Sequence, residues 1–416
     1  MIFLDAAATT PVRREAIEAM FPFLTNQFGN PSSHHGLGEA AAAALASARG
    51  QAADVLGCHP DELTFTSGGT EADNLALKGI ALARRAADPR RNRVVISAIE
   101  HPAIADSADY LRRVHGFVID VVPVGADAVV DPAGFVSVLS GSQRESGRND
   151  AGSRLGSSSA AWVPGSDVAV ASVMYANNEV GTVQDIRALA AEARDLGVPF
   201  HTDAVQAAGW LDLNVARLGV DALSISGHKL GAPKGVGLLF IRGGVQFEPL
   251  IHGGGQERGT RSGTENVAFA VALATALRLS EAARPAAVER ATALRDGFID
   301  RVLAQVASAG LTGHRTRRLP SVASFCFPGT SGESVLLELE RRSIICSSGS
   351  ACAAGSDEPS AVLTAMGVER EVAQTALRFS FGAEVTSGQL DTAAEELVAA
   401  VERMGRLGSL HRSGAE

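Results

Sequence analysis

DIRALAAEARDLGVPFHTDAVQAAGWLDLNVARLGVDALSISGHKLGAPKGVGLLFIR (185–242) is the stretch on which the architecture turns. Its opening, DIRALAAEARDLG (185–197), carries Ala, Leu and Arg at helical spacing and stops on a glycine. VPFHTDA (198–204), ALSISG (222–227) and GVGLLFIR (235–242) are short apolar runs bounded by Gly, Pro or Asp, which read as buried strands. The same alternation extends outward: VVISAI (94–99), FVIDVVPV (117–124) and VAVASVMY (168–175) are further strands with helical segments between them. Such alternation predicts the α/β class, a largely parallel sheet covered by helices on both faces. Ligands in such sheets bind beyond the carboxyl ends of the strands. After about residue 265 the texture changes to long helices, roughly 265–309 and 389–407, flanking a few strands, which predicts a second, smaller α+β domain.

The composition narrows the classes. The chain has 416 residues, 46% hydrophobic and 20% charged, enough to bury a large core without a disulfide or metal staple. A net charge of −9 lacks the footprint of phosphate-backbone binding, so no direct nucleic-acid binding is expected. Four cysteines (Cys58, Cys326, Cys346 and Cys352) are too few for a disulfide scaffold, and no CxxC pair suggests a metal. The first residues, MIFLDAAATT, carry no basic flank, and no apolar run reaches the ~18 residues of a membrane span. A cytoplasmic protein with no membrane partner is expected. Residues 140–166, dominated by Ser, Gly, Asn, Asp and Arg, cannot bury enough surface to offset the entropy of ordering, and are expected to be a mobile surface insertion.

Lysine is scarce. Of 37 basic residues only Lys78, Lys229 and Lys234 are lysines, so a lysine that persists is a candidate for amine chemistry that arginine cannot perform. Lys229 lies in SISGHKLGAPKGVG (224–237), directly after a strand that ends at Ser226, and beside His228. That setting fits a Schiff-base amine among phosphate-binding side chains. Lys234, after Pro233, reads as an ordinary loop residue. In TFTSGGTEADNLALKG (64–79), Gly68 and Gly69 lead from a strand into a helix beginning near Thr70; this is a phosphate cradle or an ordinary capped helix start. In HTDAVQAAG (201–209), Asp203 ends a strand, where it could pair with a protonated pyridine nitrogen or cap a helix. With His101 in AIEHPAI (98–104) as a stacking ring, these motifs in chain order describe a site for pyridoxal 5'-phosphate.

The set resembles the cysteine desulfurase family, a branch of the class-V aminotransferase-like enzymes. The resemblance rests on LDAAATTPV (4–12), FGNPSS (28–33), TFTSGGTEADNLALKG, ANNEVGTVQDI (176–186), HTDAVQAAG, SGHKLGAPKGVG, HGGGQERGTRSGTEN (252–266), SSGSAC (347–352) and LRFSFG (377–382). It implies the fold-type-I architecture of aspartate aminotransferase, with residues 15–262 as the cofactor-binding large domain. Residues 1–14 and 263–416 would then form the small domain that carries the Cys352 loop. It also implies roles. Lys229 holds the cofactor as a Schiff base, His101 stacks on its ring and shares proton transfers, Asp203 pairs with the ring nitrogen, and Gln206 bonds the ring hydroxyl. Gly69, Thr70, Ser226 and His228 bind the phosphate, joined by Thr264 from a second subunit of a homodimer. Asn178 and Arg378 hold the carboxylate of L-cysteine, and Cys352 takes its sulfur as a persulfide. An acceptor protein would then receive the sulfur: an iron–sulfur scaffold, a tRNA thiolation enzyme or a DNA phosphorothioation partner. Selenocysteine lyase activity, transamination and a non-catalytic sulfur-relay scaffold are the alternatives.

Overall fold

The computed structural model describes residues 1–141, 163–348 and 358–413, without the side chains of 407–413. Most of the 140–166 insertion, and Cys352 itself, lie outside the described residues.

A two-residue strand, Ile2–Phe3 (β1), opens the chain. Seven strands then form one sheet: Leu63–Thr66 (β2), Arg93–Ser97 (β3), Val118–Val122 (β4), Val168–Ser172 (β5), Phe200–Asp203 (β6), Ala222–Ser226 (β7) and Gly237–Ile241 (β8). Their order is β2-β8-β7-β6-β5-β3-β4. From β7 to β4 every pairing is parallel, while β8 runs antiparallel to both of its neighbours. The reversal has a simple cause. Residues 227–236 are too few for a crossover, which needs about a dozen residues or more, so the chain returns beside β7 in the opposite sense.

Side chains alternate across the sheet. Val95 of β3 faces the cluster that holds Phe135 and Phe200, while Val94 and Ile96 face Leu75, Ile104 and Leu111. Both faces are therefore apolar, as the unbroken hydrophobic runs predict. Fully burying each such side chain is worth about 1.5–3 kcal/mol. The run expected as a strand over 168–175 leaves the ladder after Ser172, and its last residues turn toward the carboxyl end of the sheet.

The second sheet holds Gly310–Leu311 (β9), Val322–Cys326 (β10), Ser347–Ser348 (β12) and Leu377–Ser380 (β13), antiparallel in the order β12-β13-β10-β9. Ile344–Ile345 (β11) pairs with β1, so the amino terminus is built into this region. Two long helices, Val267–Gln305 and Ser387–Ser413, pack together beside it. Phe298 of the first meets Phe379 of β13 edge-on at 5.2 Å. The strand order reverses around β3 and β5, and the chain after those strands, with the ends of β6 and β7, opens toward one cleft.

Candidate active site

The cleft encloses about 650 Å3 at the carboxyl ends of the parallel strands. Ser67, Gly68, Gly69 and Thr70 enter it from β2. At Gly69 an added Cβ would lie 2.7 Å from Val205 Cγ2 and 3.2 Å from Ser226 Cβ, so only glycine lets this turn close against the end of β7. Glu71, one residue on, also lines the cleft; burial would raise its pKa, but Arg261 at 2.9 Å and the Ser67 N–H at 2.8 Å hold it below the usual value.

Lys229 ends the short turn that follows β7, and its Nζ donates to the carbonyls of Ala7 and, at 2.8 Å, Ala8. Those carbonyls belong to an amino-terminal segment strapped across the cleft. Thr10 N donates to His228 O at 3.0 Å, Gln206 Nε2 donates to Ala7 O at 3.0 Å, and Thr9 Oγ1 meets His228 Nδ1 at 3.2 Å. Burial, with the charges of Lys229 and Lys234, pushes His228 down to about 4, so its ring is neutral at pH 7.

Asp203 closes the floor. Burial raises its pKa, opposed by the Val205 N–H at 2.8 Å, by the charge of Lys229 and by His101 when its ring is protonated. His101 caps the helix Pro102–His115 by accepting the Ala103 N–H on Nδ1 at 3.1 Å, which leaves the proton of the neutral ring on Nε2. Burial lowers its pKa. Arg378 of β13 and Asn178 reach the same cleft from the other side. The guanidinium is buried; Nη1 donates to Asn178 O at 2.8 Å and Nη2 to Asp5 Oδ1 at 2.7 Å. Its Nε is buried and has no partner among the described residues.

Lys229, His101, Gly69, Thr70, Asp203, Gln206, Ser226, His228, Asn178 and Arg378 thus share one cleft. Thr264 does not line the cleft of its own chain; it is exposed in the Gly-rich run before the long helix. Cys352 lies outside the described residues, yet Ser347, just before that segment, pairs with Arg378 in the sheet. Burial pushes the other three thiols up, Cys58 and Cys346 to about 12 and Cys326 to about 11, so each stays protonated.

One reading is incomplete. Lys234 is an exposed loop residue, but it also lines the cleft with Gly235. Gly231 (φ 85°) and Gly235 (φ 92°) adopt left-handed backbone, which turns the chain on either side of Lys234. Lysine scarcity was the signal that could have found it. Glu71, Asp73 and Thr9 also line the cleft without having been singled out, since their contacts arise only on folding.

A model of the aminotransferase class-V family matches residues 2–144 and 148–392. A cysteine desulfurase from Dictyoglomus turgidum is 40% identical over 403 residues, covering 97% of this chain and 95% of the relative. An IscS-like cysteine desulfurase from Mycobacterium tuberculosis is 41% identical over 416 residues, the full length of both. A solved NifS-like protein superposes with a TM-score of 0.84 at 31% identity, covering 96% of this chain and 99% of its own.

Proposed function

The chain belongs to the cysteine desulfurases of the class-V aminotransferase family, and from that premise we propose that it binds pyridoxal 5'-phosphate on Lys229 and moves the sulfur of L-cysteine onto Cys352. The observation that carries the reading is the convergence of Lys229, Asp203, His101 and Arg378 on one cleft at the carboxyl end of the sheet. The family depends on this cofactor, and the residues present fit it: an amine, a buried carboxylate, an imidazole on the same cleft and a glycine-lined turn beside Ser226. Bound there, the cofactor would serve as an electron sink for the substrate amino acid.

The chain's own residues do the rest. Arg378 and Asn178, both lining the cleft, hold the substrate carboxylate. Lys229, once its amine is released, accepts and returns protons at the substrate carbon, and His101 Nε2 faces the same space. Gly69, Thr70, Ser226 and neutral His228 hold the phosphate by donated hydrogen bonds. The Cys352 thiolate attacks the substrate sulfur; an S–S bond forms, the carbon–sulfur bond breaks with its electron pair on carbon, and a proton completes alanine. An acceptor protein then takes the persulfide sulfur. We take residues 1–14 with 263–416 as the small domain, which the pairing of β1 with β11 supports. No helix among the described residues is long and apolar enough to cross a membrane.

The test is production of alanine and sulfide from L-cysteine with a reductant, with mass spectrometry of the peptide holding Cys352. Cys352→Ser should bind the cofactor but carry no persulfide and release no sulfide, because a hydroxyl is not ionised at neutral pH. Cys346→Ala should keep most of the turnover, its cost confined to about 1 kcal/mol of packing. A persulfide found only on Cys346 would move the nucleophile and leave the cofactor reading intact.

A further inference from the structure

Two buried acids beside Asp203 have no part in the chemistry above. Asp73 is 2% exposed, lines the cleft, and its Oδ1 has no hydrogen-bond partner. The nearest basic atom is His201 Nε2 at 3.7 Å, beyond hydrogen-bond reach. That imidazole is held between the hydroxyls of Ser172 and Ser224, each at 2.9 Å, and burial pushes it down to about 3, so it offers no positive charge. Glu100 is also buried. Its Oε1 accepts from Ser97 Oγ and from Met174 N at 2.8 Å, whereas Oε2 has no partner. Both carboxyls feel the charge of Asp203.

Three carboxyls in one desolvated floor cannot all ionise, because a buried anion needs a counter-charge or several donors. Of the three, Asp203 has Lys229 and His101 acting on it. We propose that Asp73 and Glu100 are held as neutral carboxylic acids, positioning groups that leave Asp203 the one anion of this trio and so the sole carboxylate facing the cofactor ring. Two orphaned oxygens, Asp73 Oδ1 and Glu100 Oε2, are a modest cost for neutral acids and a severe one for carboxylates. Burial raises Glu100 to about 8 against the Ser97 and Met174 donors, and raises Asp73 well above its ordinary value against the Ser224 hydroxyl, in the same direction as the geometry. The other titratable groups facing this floor are His101 from the turn after β3, His201 from β6 and Lys229 after β7, with His228, Lys234, Glu71 and Arg378 around the cleft wall.

The inference rests on the cofactor reading for its consequence, and its test separates the two. Infrared spectra of the cofactor-free protein should show protonated-carboxyl C=O stretches above the amide I band that shift in deuterium oxide. Asp73→Asn and Glu100→Gln should each remove one. In the loaded enzyme, the pH midpoint of the Lys229-bound cofactor absorbance should move by less than about 0.3 unit in either variant, because no charge has been removed. Asp203→Asn should lower it by more than about one unit, a tenfold change in the protonated fraction. Absence of the exchange-sensitive bands from the wild type, or a drop of about one unit in Asp73→Asn or Glu100→Gln, would overturn the proposal. Should one variant fail to fold, the band lost in the other decides for its own residue, because Glu179, also raised by burial to about 7, can contribute a band to the wild type. Failure to bind cofactor would remove the functional reading while the infrared result stands.

Discussion

Lys229 and Lys234 are two primary amines on one cleft, in different surroundings. Lys229 is drawn to the Ala7 and Ala8 carbonyls and acts on Asp203 at the floor, whereas Lys234 occupies the wall. Lys229→Arg should keep the fold, since a guanidinium can still donate to those carbonyls, but should lose covalent cofactor attachment and all turnover. Borohydride reduction followed by peptide mapping measures this. A reduced adduct recovered on Lys234 of the variant, with turnover retained, would show that the attachment site was assigned to the wrong amine. Residue chemistry of this kind was legible in the sequence because few residue types can perform it, and scarcity made the lysines conspicuous. Asp73 and Glu100 were not legible. Their protonation is set by burial and by the nearness of Asp203, and neither is written in local spacing.

Among the elements, β3, β5 and β7 could be read early because all five residues of each are buried and most are apolar. The strap over Lys229 could not, since it works through backbone carbonyls that any side chain would supply. Also hidden was a polar seam across three central strands: Ser172 of β5, His201 of β6 and Ser224 of β7. His201 has its pKa pushed down to about 3 by burial, against about 6.5 in an unfolded chain. Below 6.5 the unfolded chain takes up a proton that the folded protein refuses. The His201 contribution to stability is therefore full above that pH and falls steadily toward pH 3. Near pH 5 the loss is about 2 kcal/mol. Urea unfolding of His201→Asn at pH 7.5 and pH 5 should show a pH difference smaller than the wild type's by roughly that amount. Equal differences in the two proteins would mean the ring is protonated in the fold or that the seam yields to let water in.

At the scale of the whole molecule, a stripe of apolar side chains lies on the surface. Ile17, Phe21 and Leu24 project from one face of the helix Arg14–Leu24 at i, i+4 and i+7, with Phe21 59% exposed, and Phe28 beyond it is 68% exposed. Buried Ala16 marks a different face, and the helix packs against Val267–Gln305. Leaving such a contiguous patch in water is costly, and patches of this kind mark association surfaces. Thr264 sits exposed in a Gly-rich run no residue of which lines the cleft of its own chain, as a residue serving a neighbour's site would. A two-fold dimer would account for both features, because an isologous interface would bury the stripe against its copy and exchange the Gly-rich runs. If so, Phe21→Glu combined with Phe28→Glu should shift the protein toward monomer, since each buried charge would face its symmetry mate without a partner. Cofactor affinity should fall in step, and Thr264→Ala should weaken cofactor binding while leaving the dimer intact. Light scattering coupled to gel filtration, with absorbance read on the same peak, measures both quantities. A wild-type monomer that holds cofactor stoichiometrically would remove the dimer and the role of Thr264 together. A dimer unaffected by the double substitution would move the interface elsewhere.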